Sequence, residues 1–448
     1  MARVALIGEN SIGYVNTLLD IWNNGDCAVL LDWRIPAQRA FEMMSEAGVK
    51  KCYIEESLFS KIQKNIPSLI QFVIYEKINK SADYLPDQIY VKFAENYSKK
   101  EAVIIYSSGT TGKSKGVILT HYAINTNADA IIDYIKPDNT DCFYMVKTIS
   151  HASSLVGELL VALKTKTPIV IAPIIVPPRY TLANIFKFKI TIMCINPTLL
   201  RMYMKEYTRQ KEKYDLSSLK EIYIHGAKTS LKTCEAAAIV FGNCKLFYEY
   251  GLTEAGPRVS TQKNSSKCID SVGKPIKGVS VKILDSDGNE LPQNERGAIH
   301  VKTPSQYLGY VIGKNKFDSY CTGWMNTGDV GYFDDYGELH IVGRADDVII
   351  INAHKIYPSE VEKQIIACSD IDECAVTMVE YNDNKVIGCL YAGGTEIDLN
   401  TKEKLNTVLM SHEIPRVFLK CESLPRTLTG KVLSDQVRAH IKNFLTHK

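Results

Sequence analysis

The stretch YSSGTTGKSKGVILTH, residues 106–121, raises the question that decides the fold: what kind of phosphate site does it build? Ser107, Ser108, Gly109, Thr110, Thr111 and Gly112 run straight into Lys113 and Lys115. Small side chains leave backbone N–H groups bare, and hydroxyl and ammonium groups complete what a triphosphate requires. Gly112-Lys113-Ser114 matches the end of the nucleotide-triphosphatase P-loop, but Ser107 stands where that motif's first glycine belongs. A plain glycine-rich turn is a third reading. The flanks separate the three. A P-loop lysine opens a helix, whereas here Gly116 leads into the β-rich run Val117-Ile118-Leu119-Thr120, and Ala102–Tyr106 before the loop is another strand candidate. Strand, flexible loop, strand describes a flap over phosphates, and the P-loop reading falls.

Outward from the loop, the composition sets bounds. The chain has 448 residues, enough for two or more domains with large cores. Its 53 Lys+Arg against 50 Asp+Glu give no charge excess of the kind a nucleic-acid or membrane-surface protein carries. The opening MARVALIGENSIGYV turns polar too soon for a signal peptide, and the longest apolar run, Ile169–Val176, is interrupted by Pro173 and far below membrane-spanning length. The 12 cysteines show neither C-x-x-C pairs nor histidines at zinc spacing, which reads as free thiols in a reducing cytoplasm.

The chain opens with a β-α-β pattern. Ala2–Ile7 is a strand, Asn10 or Ser11 can cap a helix with Ile12, Val15, Leu18, Leu19 and Trp22 on one face, Gly25 closes it, and Ala28–Leu31 begins the next strand. Similar units pass through Leu182–Phe186, Ile190–Ile195 and Thr198–Tyr207, then through Glu221–His225, Leu231–Phe241 and Leu246–Tyr248. Such alternation predicts a large layered α/β domain with mostly parallel sheet. From Val279 short strands with turns at Asp285–Gly288 and Asp334–Gly337 predict a β-rich subdomain. After Arg344 a compact α+β tail begins, with an amphipathic helix at Pro358–Ala367 and a linker near Arg344–Asp347.

Four further stretches carry chemistry. Tyr250-Gly251-Leu252-Thr253-Glu254 follows a predicted strand, where α/β sheets place ligand residues. Thr253 and Glu254 offer hard oxygens to a magnesium ion bridging phosphates, and equally fit a capping pair at a helix start. Asn326-Thr-Gly-Asp329 sets a carboxylate in a glycine turn, fit for two ribose hydroxyls or simply a turn residue. Gly343-Arg344-Ala-Asp346-Asp347 lies at the linker and also reads as a solvated charge cluster. Pro425-Arg-Thr-Leu-Thr-Gly-Lys431 ends in a lysine that, alone, is an ordinary surface residue.

In order and spacing these segments resemble the adenylate-forming superfamily of acyl-CoA synthetases, stand-alone adenylation domains and luciferase-like enzymes. S-S-G-T-T-G-x-x-K-G, H-G-A, Y-G-L-T-E, T-G-D, G-R-x-D and P-R-T-x-x-G-K occur in family order between residues 106 and 431. The resemblance implies a large N-terminal domain, residues 1–345, and a mobile C-terminal lid, residues 346–448. It implies activation of a carboxylic acid by ATP as acyl-AMP, with Mg2+, and transfer to the thiol of coenzyme A or of a carrier protein's phosphopantetheine arm. By residue, the resemblance assigns the β- and γ-phosphates to the loop Ser107–Lys115, and adenine to Tyr250 with Gly226 and Ala227 near the base. It assigns the ribose to Asp329 and Arg344, metal-bridged phosphates to Thr253 and Glu254, and the reacting carboxylate and bridging oxygen to Lys431. Gly226, Gly251 and His151 fall to the acid pocket, Asp346 to the hinge, and Ala353 to the thiol channel.

The chain departs from the family pattern in several places. Ser114 replaces a loop proline, and Ala353 replaces a glycine beside the thiol channel. The N-terminus begins at the first strand, which is expected to expose a sheet edge for a second subunit to cover. In α-amino-acid-activating relatives an aspartate pairs with the substrate ammonium; Ser150-His151-Ala-Ser153 occupies that place here, so an aryl or short-to-medium acyl acid is expected. A carrier-protein-specific adenylation enzyme that ignores coenzyme A, and a non-catalytic scaffold of the same fold, are the rival readings.

Overall fold

The first β-α-β unit forms as the pattern predicts. Strand Arg3–Gly8 leads to helix Ile12–Asn23, where the Ser11 hydroxyl accepts the Tyr14 N–H and satisfies one of the bare first-turn donors. Val15, Leu18, Leu19 and Trp22 are buried, and the indole N–H donates to Ala102 O at 2.8 Å. Gly25 ends the helix in the left-handed region at φ 75°, which any side chain would strain. Strand Cys27–Asp32 follows, parallel to Arg3–Gly8.

This computed structural model describes residues 1–62, 69–76, 83–85, 96–107, 114–173, 176–227, 229, 231–312, 316–318, 323–351, 354–381, 384–427 and 431–446. Among them two eight-stranded sheets dominate. The first runs in the order Lys316–Asp318, Gly309–Ile312, Lys115–Thr120, Glu101–Ser107, Cys27–Asp32, Arg3–Gly8, Lys51–Glu55, Gln71–Tyr75. The second contains the parallel strands Lys245–Gly251, Glu221–Ile224, Ile192–Ile195, Phe143–Met145 and Ile169–Ile171. A core of helix Ile12–Asn23, helix His121–Ile135 and apolar residues of both sheets packs between them. The β-rich subdomain is the antiparallel sheet Ser280–Leu284, Gly297–Lys302, Met325–Phe333, Leu339–Arg344. Two further core clusters draw only on residues 349–445.

The structure corrects two expectations. Strand Arg3–Gly8 is no sheet edge: it pairs with Cys27–Asp32 on one side and Lys51–Glu55 on the other. The chain crosses from the first strand to Cys27–Asp32 on one side and from there back past it to Lys51–Glu55 on the other, as in doubly wound sheets, so the opening strand becomes central and the reason for a covering second subunit disappears. The glycine turn expected at Asn326–Asp329 lies instead within strand Met325–Phe333. Its turn chemistry survives as a kink: Gly328 sits at φ 73° and donates its N–H to Asn326 Oδ1 at 2.8 Å. A Cβ at Gly328 would lie 2.7 Å from Arg344 Nη2.

Among the described residues no helix is long and apolar enough to cross a membrane, and no cysteine is in a disulfide. Strands Glu101–Ser107 and Lys115–Thr120 are antiparallel neighbours, giving the strand–loop–strand reading its frame. Ser108, Gly109, Thr110, Thr111, Gly112 and Lys113 lie outside the described residues, as does Ala353.

The stretch that opened the sequence reading ends in a buried histidine. His121 packs edge-on against Trp22 at 5.9 Å, its Nδ1 has no hydrogen-bond partner among the described residues, and burial with Lys100 nearby pushes its pKa down to about 4. The unfolded chain therefore binds a proton that the folded chain refuses. His121 costs nothing above about pH 6.5, and stability falls as pH drops from there toward 4. We expect a loss on the order of 2 kcal/mol between pH 7 and 4.5 from this ring. His121→Phe should flatten that part of the profile in denaturant titrations. An unchanged slope would show that the ring takes up its proton in the folded state.

Candidate active site

The carboxyl end of the second sheet opens on a cleft of about 1950 Å³, lined both by residues up to Val348 and by residues from Ile349 to Arg438. That exceeds the several hundred Å³ of a site for one small ligand and suits a nucleotide with a second substrate. Ser107, Lys115, His151, Gly226, Ala227, Tyr250, Gly251, Thr253, Glu254, Asp329, Arg344, Asp346 and Lys431 all line it. Residues more than 300 positions apart in sequence thus share one space.

Strand Lys245–Gly251 brings Tyr250 to the cleft, and its close approach to Pro257 explains the next residue: a Cβ on Gly251 would lie 2.0 Å from Pro257 O. The Tyr250 hydroxyl donates to Asp329 Oδ2 at 2.5 Å, and Arg344 Nη1 donates to Asp329 Oδ1 at 3.0 Å and to Thr327 O at 3.1 Å. Burial and the Asp329 carboxylate push the Tyr250 phenol well up, so it remains a donor. Asp329 is thereby fixed from two sides, while a carboxylate has lone pairs for further donors. Thr253–Ala255 forms a 3-10 turn that turns Glu254 toward Tyr310, whose hydroxyl donates to Glu254 Oε1 at 2.8 Å. Lys115 Nζ lies 5.1 Å from the Tyr310 ring centre, so one tyrosine buttresses both the flap lysine and the acidic residue. Gly226 needs its hydrogen for a different reason: φ 95° in open space.

His151 caps a helix that begins at Ala152 and continues as a π-helical stretch, Leu155–Leu160. Its Nε2 is buried with no partner among the described residues. Burial, opposed by Asp32 and reinforced by Arg34, Lys147 and Lys431, pushes its pKa down to about 4. The ring is therefore neutral near pH 7. Lys431 lines the same cleft. The Lys431 N–H donates to Thr427 Oγ1 at 3.1 Å and its carbonyl accepts the Thr427 N–H at 2.8 Å.

At the cleft wall, where Lys147, His225 and Glu249 line it, sits a set of buried polar groups of which the motifs reveal only His225. Lys147 Nζ is 2.8 Å from Glu158 Oε1 and 2.9 Å from His225 Nε2. Arg258, 2% exposed, has Nε 3.1 Å from Glu249 Oε2, and the Tyr134 hydroxyl donates to Glu249 Oε1 at 2.5 Å. Burial pushes both carboxyls, Glu158 and Glu249, up. A Cβ at Gly157 would meet Arg258 Nη2 at 2.8 Å, so this glycine makes room for the guanidinium. The only sequence signal is polarity inside apolar runs: a lysine after Phe143–Val146 and a glutamate within Leu155–Leu163.

The connection near residue 346 is one 3-10 turn, Ala345–Asp347, with Arg344 and Val348 extended on either side and Asp346 exposed. Beyond it, contacts with the rest of the chain include three ion pairs, Lys363–Asp270 at 2.9 Å, Arg296–Glu360 at 2.7 Å and Arg201–Glu373 at 3.2 Å, together with a hydrogen bond from the Ser359 hydroxyl to Val342 O and Arg296 stacked over the Tyr357 ring.

The model of the AMP-binding enzyme family matches residues 1–311, more than half of the chain. The chain belongs to the AMP-binding enzyme family. Among curated members it is 30% identical over 359 residues to 4-coumarate–CoA ligase 1 of Arabidopsis thaliana, covering 76% of this chain and 63% of that enzyme. It is 25% identical over 463 residues to the fatty acid–[acyl-carrier-protein] ligase ScoC of Streptomyces coeruleorubidus, covering 97% and 86%. The fold matches ATP-bound MatB from Rhodopseudomonas palustris with a TM-score of 0.86 at 22% identity, over 99% of this chain and 89% of that one. The chain spans 61–64% of the length of the 4-coumarate–CoA ligases it matches.

Proposed function

We propose that this family member is an acid–thiol ligase that activates a carboxylic acid with ATP as acyl-AMP and passes the acyl group to a thiol. One observation carries the reading: Lys431, the Tyr250–Asp329–Arg344 set and His151 share a single cleft. In the first half-reaction a substrate carboxylate oxygen forms a bond to the α-phosphorus, and the bond from that phosphorus to the β-bridging oxygen breaks, releasing pyrophosphate. The carboxylate is already a nucleophile, so no general base is needed; the obstacle is an anion approaching a polyanion. Lys431 offers a positive charge at that encounter. Asp329 accepts ribose hydroxyls while Arg344 and Tyr250 hold it in place, and the Tyr250 ring gives adenine a face. In the second half-reaction a thiol attacks the acyl carbon and AMP leaves.

Mg2+ would be held through nucleotide phosphates near Glu254 and Thr253. Glu254 fits that role: one carboxylate oxygen is tied to Tyr310 and the other has no partner among the described residues. When bound, the ion would offset phosphate charge.

Residues 1–345 act as the binding domain and residues 346–448 as a lid turning about Asp346, which swaps Lys431 for a thiol path that includes Ala353. The partly exposed ion pairs that cross this seam support that division, since polar interfaces between domains permit movement. Asp346→Pro is expected to preserve pyrophosphate release and to slow thioester formation at least tenfold, because proline fixes φ. Single-turnover assays of the two steps check this; normal thioester formation would remove Asp346 from the hinge.

The acid is expected to lack a free α-amino group. An ammonium in a closed pocket needs an anionic partner, and the neutral His151 stands where related pockets carry an aspartate. Aryl and short-to-medium acyl acids fit. Pyrophosphate exchange over a panel of acids should rank these above every proteinogenic amino acid; an α-amino acid ranked first would refute the pocket reading. The acceptor is coenzyme A or a carrier protein's phosphopantetheine; the relatives include a coenzyme A ligase and an acyl-carrier-protein ligase.

A further inference from the structure

Away from the cleft, the β-rich sheet holds a side-chain cluster that the activation chemistry does not use. Cys268, Asp334 and His340 bring one thiol sulfur, one carboxylate oxygen and one imidazole nitrogen within 4.8 Å of one another. None of the three lines the cleft. They come from two segments far apart in sequence: the connection between strands Arg258–Thr261 and Lys274–Pro275, and the hairpin joining strands Met325–Phe333 and Leu339–Arg344.

We propose that Cys268, Asp334 and His340 bind a zinc-class divalent cation through three protein ligands and one solvent molecule. The donor set is the first argument. Thiolate, imidazole and carboxylate together suit a borderline-soft ion, and calcium or magnesium would not choose a sulfur. The spacing is the second. Ligand atoms at about 2.0–2.3 Å from a tetrahedral ion stand roughly 3.3–3.7 Å apart; here all three lie within 4.8 Å of one another, and the hydrogen-bonded pair Asp334 Oδ2 and His340 Nε2, at 3.1 Å, has to part by only a few tenths of an ångström to admit the ion.

Preorganisation is the third argument. Asp334 Oδ1 accepts the N–H groups of Tyr336 and Glu338 at 3.0 and 2.8 Å, so the other oxygen is aimed by the hairpin itself. The His340 ring lies against Tyr332 at 4.8 Å and 6°, which fixes its plane. The cysteine's loop is clasped twice. Gln262 Nε2 donates to Cys268 O at 2.9 Å and to Ser271 O at 2.9 Å, while Glu338 Oε1 accepts the Lys267 N–H at 3.0 Å and Oε2 accepts the Ser271 hydroxyl at 2.6 Å. Supports of this kind are what metal ligands usually carry around them. Asp334 and His340 are buried and Cys268 is half-buried, leaving one side for solvent. The bound ion would staple this loop to the hairpin, two residues before Asp270, whose carboxylate pairs with Lys363 of helix Pro358–Cys368.

The experiment uses the full chain. Zinc retained after gel filtration from zinc-supplemented expression should be near one per chain by mass spectrometry, and should fall at least tenfold in Cys268→Ser and in His340→Gln. Titration of metal-free protein with Co2+ should give a thiolate-to-cobalt charge-transfer band that saturates at one equivalent, is displaced by Zn2+ and is absent in Cys268→Ser. That variant is near-isosteric at a half-buried position, and far-UV circular dichroism checks its fold. No retained zinc with no charge-transfer band would overturn the proposal. So would a band undiminished in both variants, which would assign the metal to other cysteines among the 12.

Discussion

Lys431→Ala is expected to slow acyl-adenylate formation by 100- to 1000-fold while leaving thiol transfer from a supplied acyl-adenylate within a few-fold of normal. Removing one preorganised electrostatic group from a reaction centre typically costs about 2.7–4 kcal/mol of transition-state stabilisation. In the proposed reaction the charge that Lys431 would meet develops only when carboxylate and phosphate come together. In the structure Lys431 and His151 line the same cleft. Rapid-quench measurement of each half-reaction separates the steps. Equal losses in both would mean that the lysine binds the nucleotide throughout, and that no exchange of lid faces occurs.

The second large effect is on stability. Arg258→Met should destabilise the fold by about 3–5 kcal/mol, because it leaves the Glu249 carboxylate buried without its cation. The methionine follows the arginine stem, so most of the loss is electrostatic rather than a cavity. The double variant Arg258→Met/Glu249→Gln should recover much of it, since the amide needs no counter-charge and can still accept from Tyr134. Guanidinium unfolding followed by circular dichroism provides the check. A single variant with an unchanged midpoint would show that water or another group already compensates Glu249.

The contrast between these two residues says what a sequence can reveal. That Lys431 lines the cleft was readable because its glycine-lysine pair closes a six-motif series whose order carries meaning. Arg258 was not, because its role depends on Glu249 and Gly157 approaching from two other elements. Parallel units such as Arg3–Gly8, Ile12–Asn23 and Cys27–Asp32 were legible from periodicity, which is local. Spatial strand order is not local, so Arg3–Gly8 looked like an edge and proved central. Asp329 shows a subtler limit: glycine and asparagine signalled a turn, and the sheet absorbed that turn as a kink that seats Arg344. Likewise the histidines lacked zinc spacing along the chain, yet Asp334 and His340 meet Cys268 across two loops.

The measurement that tests the central claim most directly follows oxygen. An accepted carboxylic acid labelled with 18O in both carboxyl positions is incubated with the enzyme, ATP, Mg2+ and a thiol acceptor until thioester forms. Attack of the carboxylate on the α-phosphorus, then expulsion of AMP by the thiol, must leave one labelled oxygen on the phosphate of AMP and none in pyrophosphate. Mass spectrometry of the two products should show that distribution. Label in inorganic phosphate, as an acyl phosphate route would give, or AMP carrying no label while thioester accumulates, would contradict the account.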